Sequence, residues 1–138
     1  MAVLNPYLSF RDNAREAMTF YQSVLGGKLD LVEFSSFPEM PQDSADANKI
    51  MHAWLETEDG MVLAGSDTPA GMAYQEPQGI SVSMSTDDGT RAQAIWDGLA
   101  DGGAVDIPFE GAPWGGRFGM ITDRYGVSWM ITENAAGE

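Results

Sequence analysis

The sequence contains no cysteine. That absence removes thiolate metal sites, cysteine nucleophiles and disulfide frameworks together, and leaves imidazole, carboxylate and hydroxyl groups to carry any chemistry. Imidazole is itself scarce, because a single histidine, His52, stands in the stretch KIMHAWLETEDG. No G-x-S-x-G elbow surrounds a serine, so nucleophilic hydrolysis is not expected. Basic residues are few: seven against twenty-one acidic ones, for a net charge of −14. Such a chain repels phosphate backbones and anionic lipid, which excludes nucleic acid and membrane surfaces as expected partners. The same charge has two readings, solubility and the attraction of a cationic ligand or metal ion. No run approaches the roughly 20 apolar residues a membrane span needs. The start, MAVLNPYLSF, lacks a basic n-region and a long apolar core, so a cytoplasmic protein is expected.

At 138 residues the chain fits one domain able to bury roughly two-thirds of its unfolded surface without a covalent staple. PYLSF alternates and predicts a short strand. Ala14, Ala17, Met18, Tyr21, Val24 and Leu25 recur at helical spacing, with Asn13 as N-cap and Gly26-Gly27 as the stop. LDLVEFSSF, KIMHAWLETED and GMVLAGSD predict three strands, the last two joined at Asp59-Gly60. Glu39 to Asn48 reads as a surface loop, either a linker or a cover over a site.

The order then starts again. ISVSMST alternates Ile80, Val82 and Met84 against three serines; Thr90 to Ala100 is helical in spacing; Gly102-Gly103 ends it; and AVDIPFEG, GRFGMITDRYG and VSWMITEN predict three more strands. SFRDNARE…VLGGK and STDDGTRAQ…LADGGA superpose at a shift of about 75 positions, the mark of an internal duplication. The expected fold is α+β, with two tandem βαβββ modules, approximately 1–75 and 76–138, forming a curved half-barrel sheet around a cleft with helices outside. Clefts of this kind are where small ligands usually bind.

Paired βαβββ modules resemble the vicinal oxygen chelate superfamily of glyoxalases, extradiol dioxygenases and bleomycin-resistance proteins. Within it the chain is most similar to the PhnB-like branch, also labelled demethylubiquinone methyltransferase-like. The resemblance rests on NPYLSFRDNAREAMTFYQSVLGGKL, MHAWLETEDGMVLAGSD and PWGGRFGMITDRYGVSWMITEN, and the last carries most of the specificity. A methyltransferase is expected to show a strand, a glycine-rich turn and a helix for its cofactor, and no such unit occurs.

The resemblance implies metal ligands on four strands, and here those positions fall on Asn5, the small residues of LAGS, Ser81 and Met130. These are poor donors for a divalent Lewis acid, so neither a metal site nor another cofactor is expected; a divalent metal held by a shifted ligand set is the alternative. Glu133 would fall on the face opposite Met130 and reads as a terminal solvated carboxylate. The resemblance also implies a homodimer.

Alternation puts Ile50, His52 and Trp54 on one face of their strand and Met51, Ala53 and Leu55 on the other, more apolar face. His52 and Trp54 therefore face the expected cleft. An imidazole, with an ordinary pKa near 6.5, can act as acid or base at neutral pH or simply hydrogen-bond a neighbouring tyrosine or serine. Arg117 matches the arginine of the family pattern, either anchoring an anionic ligand group or pairing with an acid across the sheet. Trp114 suits a flat ligand or a subunit interface. Two functions follow: a module that binds a small, partly aromatic molecule through Tyr7, His52, Trp54, Ser81, Ser83, Trp114, Arg117 and Met130, and a lyase or dioxygenase using a shifted metal site or His52 as acid/base.

Overall fold

The structure is a computed structural model that describes residues 2–36, 48–69, 73–75 and 78–135. The chain divides into two compact units, Met1–Glu76 and Pro77–Glu138. Segment 39–47, expected to be a loop, lies outside the described residues.

The first unit runs β1 (Tyr7–Phe10), α1 (Ala14–Leu25), β2 (Lys28–Glu33), β3 (Ile50–Glu56) and β4 (Val62–Asp67). Its mixed sheet has the order β1-β4-β3-β2, with β1 parallel to β4 and the other pairs antiparallel. The second unit repeats it as β5 (Val82–Thr86), α2 (Gly89–Ala100), β6 (Ala104–Gly111), β7 (Arg117–Thr122) and β8 (Ser128–Glu133), in the order β5-β8-β7-β6. Two four-stranded mixed sheets, each with one helix against one face, make the fold α+β, as the duplication implies.

Alternation fixes which side chains the helices cover. Ala14, Ala17, Met18, Tyr21 and Leu25 of α1 are buried with Leu8, Phe10, Ala53, Leu55 and Leu63 of the strands. In the second unit Ala92, Ile95, Trp96 and Leu99 of α2 are buried with Met84, Ile121, Trp129 and Ile131. Each fully buried side chain of this size contributes roughly 1.5–3 kcal/mol, so these helix-covered faces hold the units together. Ile80, expected to extend the buried alternation of β5, precedes the strand and is 72% exposed.

The glycine pairs do the same work twice. Gly26 and Gly102 take φ of 78° and 79°, which reverses the chain after each helix. At the next residue the chain passes so close to a strand end that a Cβ on Gly27 would lie 2.3 Å from Glu56 O, and one on Gly103 2.7 Å from Thr122 O. The following turns also match: Gly60 N–H donates to Thr57 O and Thr57 N–H to Met61 O, while Gly126 N–H donates to Asp123 O and Asp123 N–H to Val127 O.

Three local expectations are corrected. Asn13 makes no side-chain cap; instead Ala14 N–H donates to Asp67 Oδ1 at 2.9 Å, so a carboxylate at the end of β4 satisfies the helix start. The strand predicted through Phe37 ends at Glu33, where Phe34–Ser36 form a 3-10 turn. Ile50 does not share a face with His52, because the register steps from Val32↔His52 to Glu33↔Ile50; the bulge at Met51 lets Ile50 become buried while His52 stays partly exposed.

Candidate functional site

The open face of the first sheet, opposite α1, gathers the residues with chemistry. Register sets them side by side: Tyr7 lies across Ala64 from Trp54, and Trp54 lies opposite Asp30. Ala64 is small, which leaves room for larger side chains on both sides of it. His52, two residues before Trp54 on β3, leans towards β1. Its Nδ1 lies 3.1 Å from the Tyr7 hydroxyl, and the two rings stack with centroids 5.9 Å apart at 23°. The Trp54 ring follows at 6.1 Å from the imidazole. Trp54 Nε1–H donates to Glu56 Oε1 at 3.3 Å, which ties the indole to the carboxylate next on the same face.

The result is a row of three rings, Tyr7, His52 and Trp54, on a face the helix leaves uncovered. Tyr7 is half-exposed, and His52 and Trp54 are partly exposed. Beside it a concavity of about 670 Å³ is lined by Lys28, Asp30, Trp54, Glu56 and Glu58 among others. Aromatic walls take flat rings, the imidazole takes or gives one hydrogen bond, and the carboxylates make the surroundings negative.

The second unit places its candidates differently. Ser83 lies opposite Met130 on the open face of that sheet, with Met120 opposite Met130 on the next strand. Ser81 shares a hydroxyl–hydroxyl hydrogen bond of 2.8 Å with Ser128. Trp114 is 60% exposed in the turn before β7, its ring edge-on to Phe118 at 5.7 Å. This surface is apolar and hydroxyl-bearing, with no imidazole.

Arg117 stands apart from these residues, on the helix-covered side. Its Nε donates to Glu133 Oε1 at 2.5 Å, Nη1 to Gln93 Oε1 at 2.7 Å and Nη2 to Gly89 O at 3.3 Å, with the guanidinium 4.5 Å from the Phe109 ring centroid. All three guanidinium nitrogens are thus engaged within the unit. Glu133, read from the sequence as a solvated carboxylate, is the other half of this clamp, its side chain 24% exposed. Gly89 makes room for it, since a Cβ there would come within 2.8 Å of Glu133 Oε2.

Sequence reasoning missed Glu56 and Asp67. Glu56 was legible, because it shares the alternation of His52 and Trp54. Asp67 had a weaker signal, a charged residue ending an otherwise buried strand. It is 4% exposed and accepts from the backbone N–H groups of Ala14 and Ile50.

At the positions where the resemblance implies metal ligands, Asn5 donates its amide to Pro6 O, residues 63–66 are Leu, Ala, Gly and Ser, and the remaining places carry Ser81 and Met130. Among the described residues no three His, Asp or Glu side chains converge. This donor set does not fit a divalent Lewis acid. Among the described residues, no helix is long and apolar enough to cross a membrane.

The comparisons with known proteins agree with the architecture. The sequence profile of the 3-demethylubiquinone-9 3-methyltransferase family matches residues 2–132. The crystal structure of protein PA1353 from Pseudomonas aeruginosa is 35% identical, with a TM-score of 0.87 over 98% of this chain and 99% of that one. A putative 3-demethylubiquinone-9 3-methyltransferase, PhnB protein, from Bacillus cereus is 24% identical, with a TM-score of 0.70 over 96% and 100%. A glyoxylase/bleomycin resistance protein/dioxygenase domain from Frankia sp. EAN1pec, 19% identical, shares the fold with a TM-score of 0.66 over 97% and 98%. With the profile spanning nearly the whole chain, the chain belongs to the 3-demethylubiquinone-9 3-methyltransferase-like family, and its duplicated βαβββ units share the fold of the PhnB protein and of the glyoxylase/bleomycin resistance protein/dioxygenase domain.

Proposed function

We propose that the protein binds a small, partly aromatic molecule on the open face of its first sheet, without the superfamily's usual metal and without a resident cofactor. The observation that carries this reading is the row Tyr7, His52 and Trp54, three rings in sequence with one polar contact between them, on a face that the core does not need. Among the described residues the most buried aromatics lie between helix and sheet, as Tyr21 of α1 and Trp129 of β8 do. Rings left partly exposed on a face that no helix covers are suited to a ligand. The proposal does not extend to methyl transfer, since the sequence has no strand, glycine-rich turn and helix for such a cofactor.

The second unit's open face, with Ser81, Ser83, Trp114 and Met130, is proposed as an apolar contact surface for ligand. Arg117 is assigned the clamp it makes with Glu133 rather than ligand contact. A homodimer in the cytoplasm completes the proposal, and sedimentation at twice the 14.9 kDa chain mass is its check.

The test is a thermal-shift screen of aromatic compounds against the wild type and Trp54→Ala. Compounds that raise Tm of the wild type and leave the variant unmoved support the reading; hits that act equally on both overturn it. A second reading, a metal-dependent lyase or dioxygenase with shifted ligands, draws on the proton-transfer capacity of the Tyr7–His52 pair. Stoichiometric divalent metal that is lost on His52→Ala would establish it in place of the metal-free reading.

A further inference from the structure

We infer that Tyr7 fixes the tautomer of His52, so that Nε2–H is presented as a hydrogen-bond donor to a flat ligand carrying an uncharged acceptor oxygen. This rests on the reading that the open face binds such a molecule, and adds the chemical class it selects.

A phenol always has a proton to donate, whereas each nitrogen of a neutral imidazole is either donor or acceptor. At 3.1 Å the Tyr7 hydroxyl meets Nδ1 of His52. If Nδ1 carried the hydrogen, it would point at the phenol oxygen, and the phenol proton would have no acceptor among the described residues. If Nδ1 accepts, both groups are satisfied by one bond and the imidazole hydrogen sits on Nε2. Nε2 has no protein partner among the described residues, so on this partly exposed face its donor is available to a bound molecule.

The neighbours choose the kind of acceptor. Asp30 lies opposite Trp54, and Glu56 holds the Trp54 indole. A ligand carboxylate or phenolate brought here would face these carboxylates, with Lys28, opposite Glu56, the one cation among the described residues lining the concavity to offset them. A carbonyl or amide oxygen meets the same donor without the repulsion. The preferred ligand is therefore a ring that lies along Tyr7 and Trp54 and carries a neutral carbonyl near His52.

Because His52 is the only histidine, one set of imidazole signals appears in a long-range ¹H–¹⁵N spectrum of uniformly ¹⁵N-labelled protein. At pH 8.5 the expected pattern is a protonated Nε2 and an unprotonated, hydrogen-bonded Nδ1. In Tyr7→Phe the Nδ1 resonance should move towards that of a free acceptor. A protonated Nδ1 in the wild type, or a spectrum unchanged in Tyr7→Phe, overturns the assignment whether or not any ligand binds.

The ligand class is tested with 2-naphthamide and 2-naphthoate. The amide is expected to bind the wild type about fivefold more tightly than the acid, because only the acid meets repulsion from the Asp30 and Glu56 carboxylates, and to bind His52→Phe, which keeps a ring but no donor, about fivefold more weakly than the wild type, the size of one net hydrogen bond. Equal or tighter binding of the acid overturns the neutral-acceptor preference. Failure of both probes to bind counts against the open-face reading and the ligand class, while the tautomer still stands or falls on its spectrum.

Discussion

The helix-covered faces of the two units are near copies, whereas their open faces share little. Strand order, a glycine pair after each helix and the hydrogen bonds of the turn after the third strand recur. Across the sheet, one unit presents Tyr7, His52, Trp54, Asp30 and Glu56, and the other presents Ser83, Met120, Met130 and Phe118. Packing constrains the covered side, where every methylene has neighbours. The open side carries no such constraint, and there the repeats have diverged into a polar aromatic surface and an apolar one.

Even the covered faces solve one problem in two ways. Asp67 and Glu133 occupy matching ends of β4 and β8, opposite Phe10 and Thr86. In the first unit Asn13 leaves the helix uncapped, and Asp67 accepts from Ala14 N–H. In the second, Asp88 caps its own helix by accepting from the N–H groups of Thr90 and Arg91. Glu133 is thereby released to pair with Arg117. One local capping residue decides the role of a carboxylate some forty-five positions away.

The largest expected difference between the units lies at the matching turn residues. Asp123 accepts from Tyr125 N–H, Val127 N–H and the Trp129 indole, all within its turn and the buried β8 core. Asp123→Ala should cost about 4 kcal/mol in urea denaturation, because it orphans three donors. Thr57 Oγ1 accepts from Met61 N–H and donates to Asp59 Oδ1, so Thr57→Val should cost about 1.5 kcal/mol. Equal losses would show that the turns are energetically alike and the comparison is one of geometry only.

Next comes the pair of strand-end carboxylates. Asp67→Ala leaves two buried N–H groups without an acceptor and should cost about 3 kcal/mol; Glu133→Ala, which frees a partly exposed arginine, should cost about 1.5 kcal/mol. Chemical denaturation of both variants checks the order, and a more damaging Glu133→Ala would reverse the capping argument. The glycine pair offers a narrower contrast. Gly27→Ala meets backbone at 2.3 Å and needs φ of 96°, so it should lose about 3 kcal/mol, against about 2 kcal/mol for Gly103→Ala. Thermal melts ranking the two the other way would show that the second unit's turn is the more rigid.

The smallest stability effects belong to the open faces, where the functional contrast is largest. Trp54→Phe and Met130→Leu, which keep most of the apolar volume, should each cost about 1 kcal/mol or less. Ligand-induced Tm shifts should vanish in Trp54→Ala and persist in Met130→Ala. Loss of binding in the second variant alone would move the site to the other unit.

Much of this was legible in the residues. Periodicity located both helices and all eight strands, because a 3.6-residue or two-residue apolar repeat is a direct record of which side is buried. It also placed His52 and Trp54 on the uncovered face, since Met51, Ala53 and Leu55 made the other face more apolar. Periodicity could not foresee the bulge at Met51, which moved Ile50 out of that set; a one-residue skip leaves the same apolar letters in the same order.

The sequence by itself determined the duplication, the α+β architecture and the face on which the lone histidine stands, because local periodicity and repeated glycine turns are properties of neighbouring residues. Only the tertiary structure decided what that histidine meets. Tyr7 is forty-five positions away and is brought to Nδ1 by the parallel pairing of β1 with β4. The same holds for Asp67 at the start of α1 and Arg117 on Glu133. Such partners are chosen by strand register across long loops, and no local pattern in the chain encodes the distance between two side chains that only the folded sheet makes neighbours.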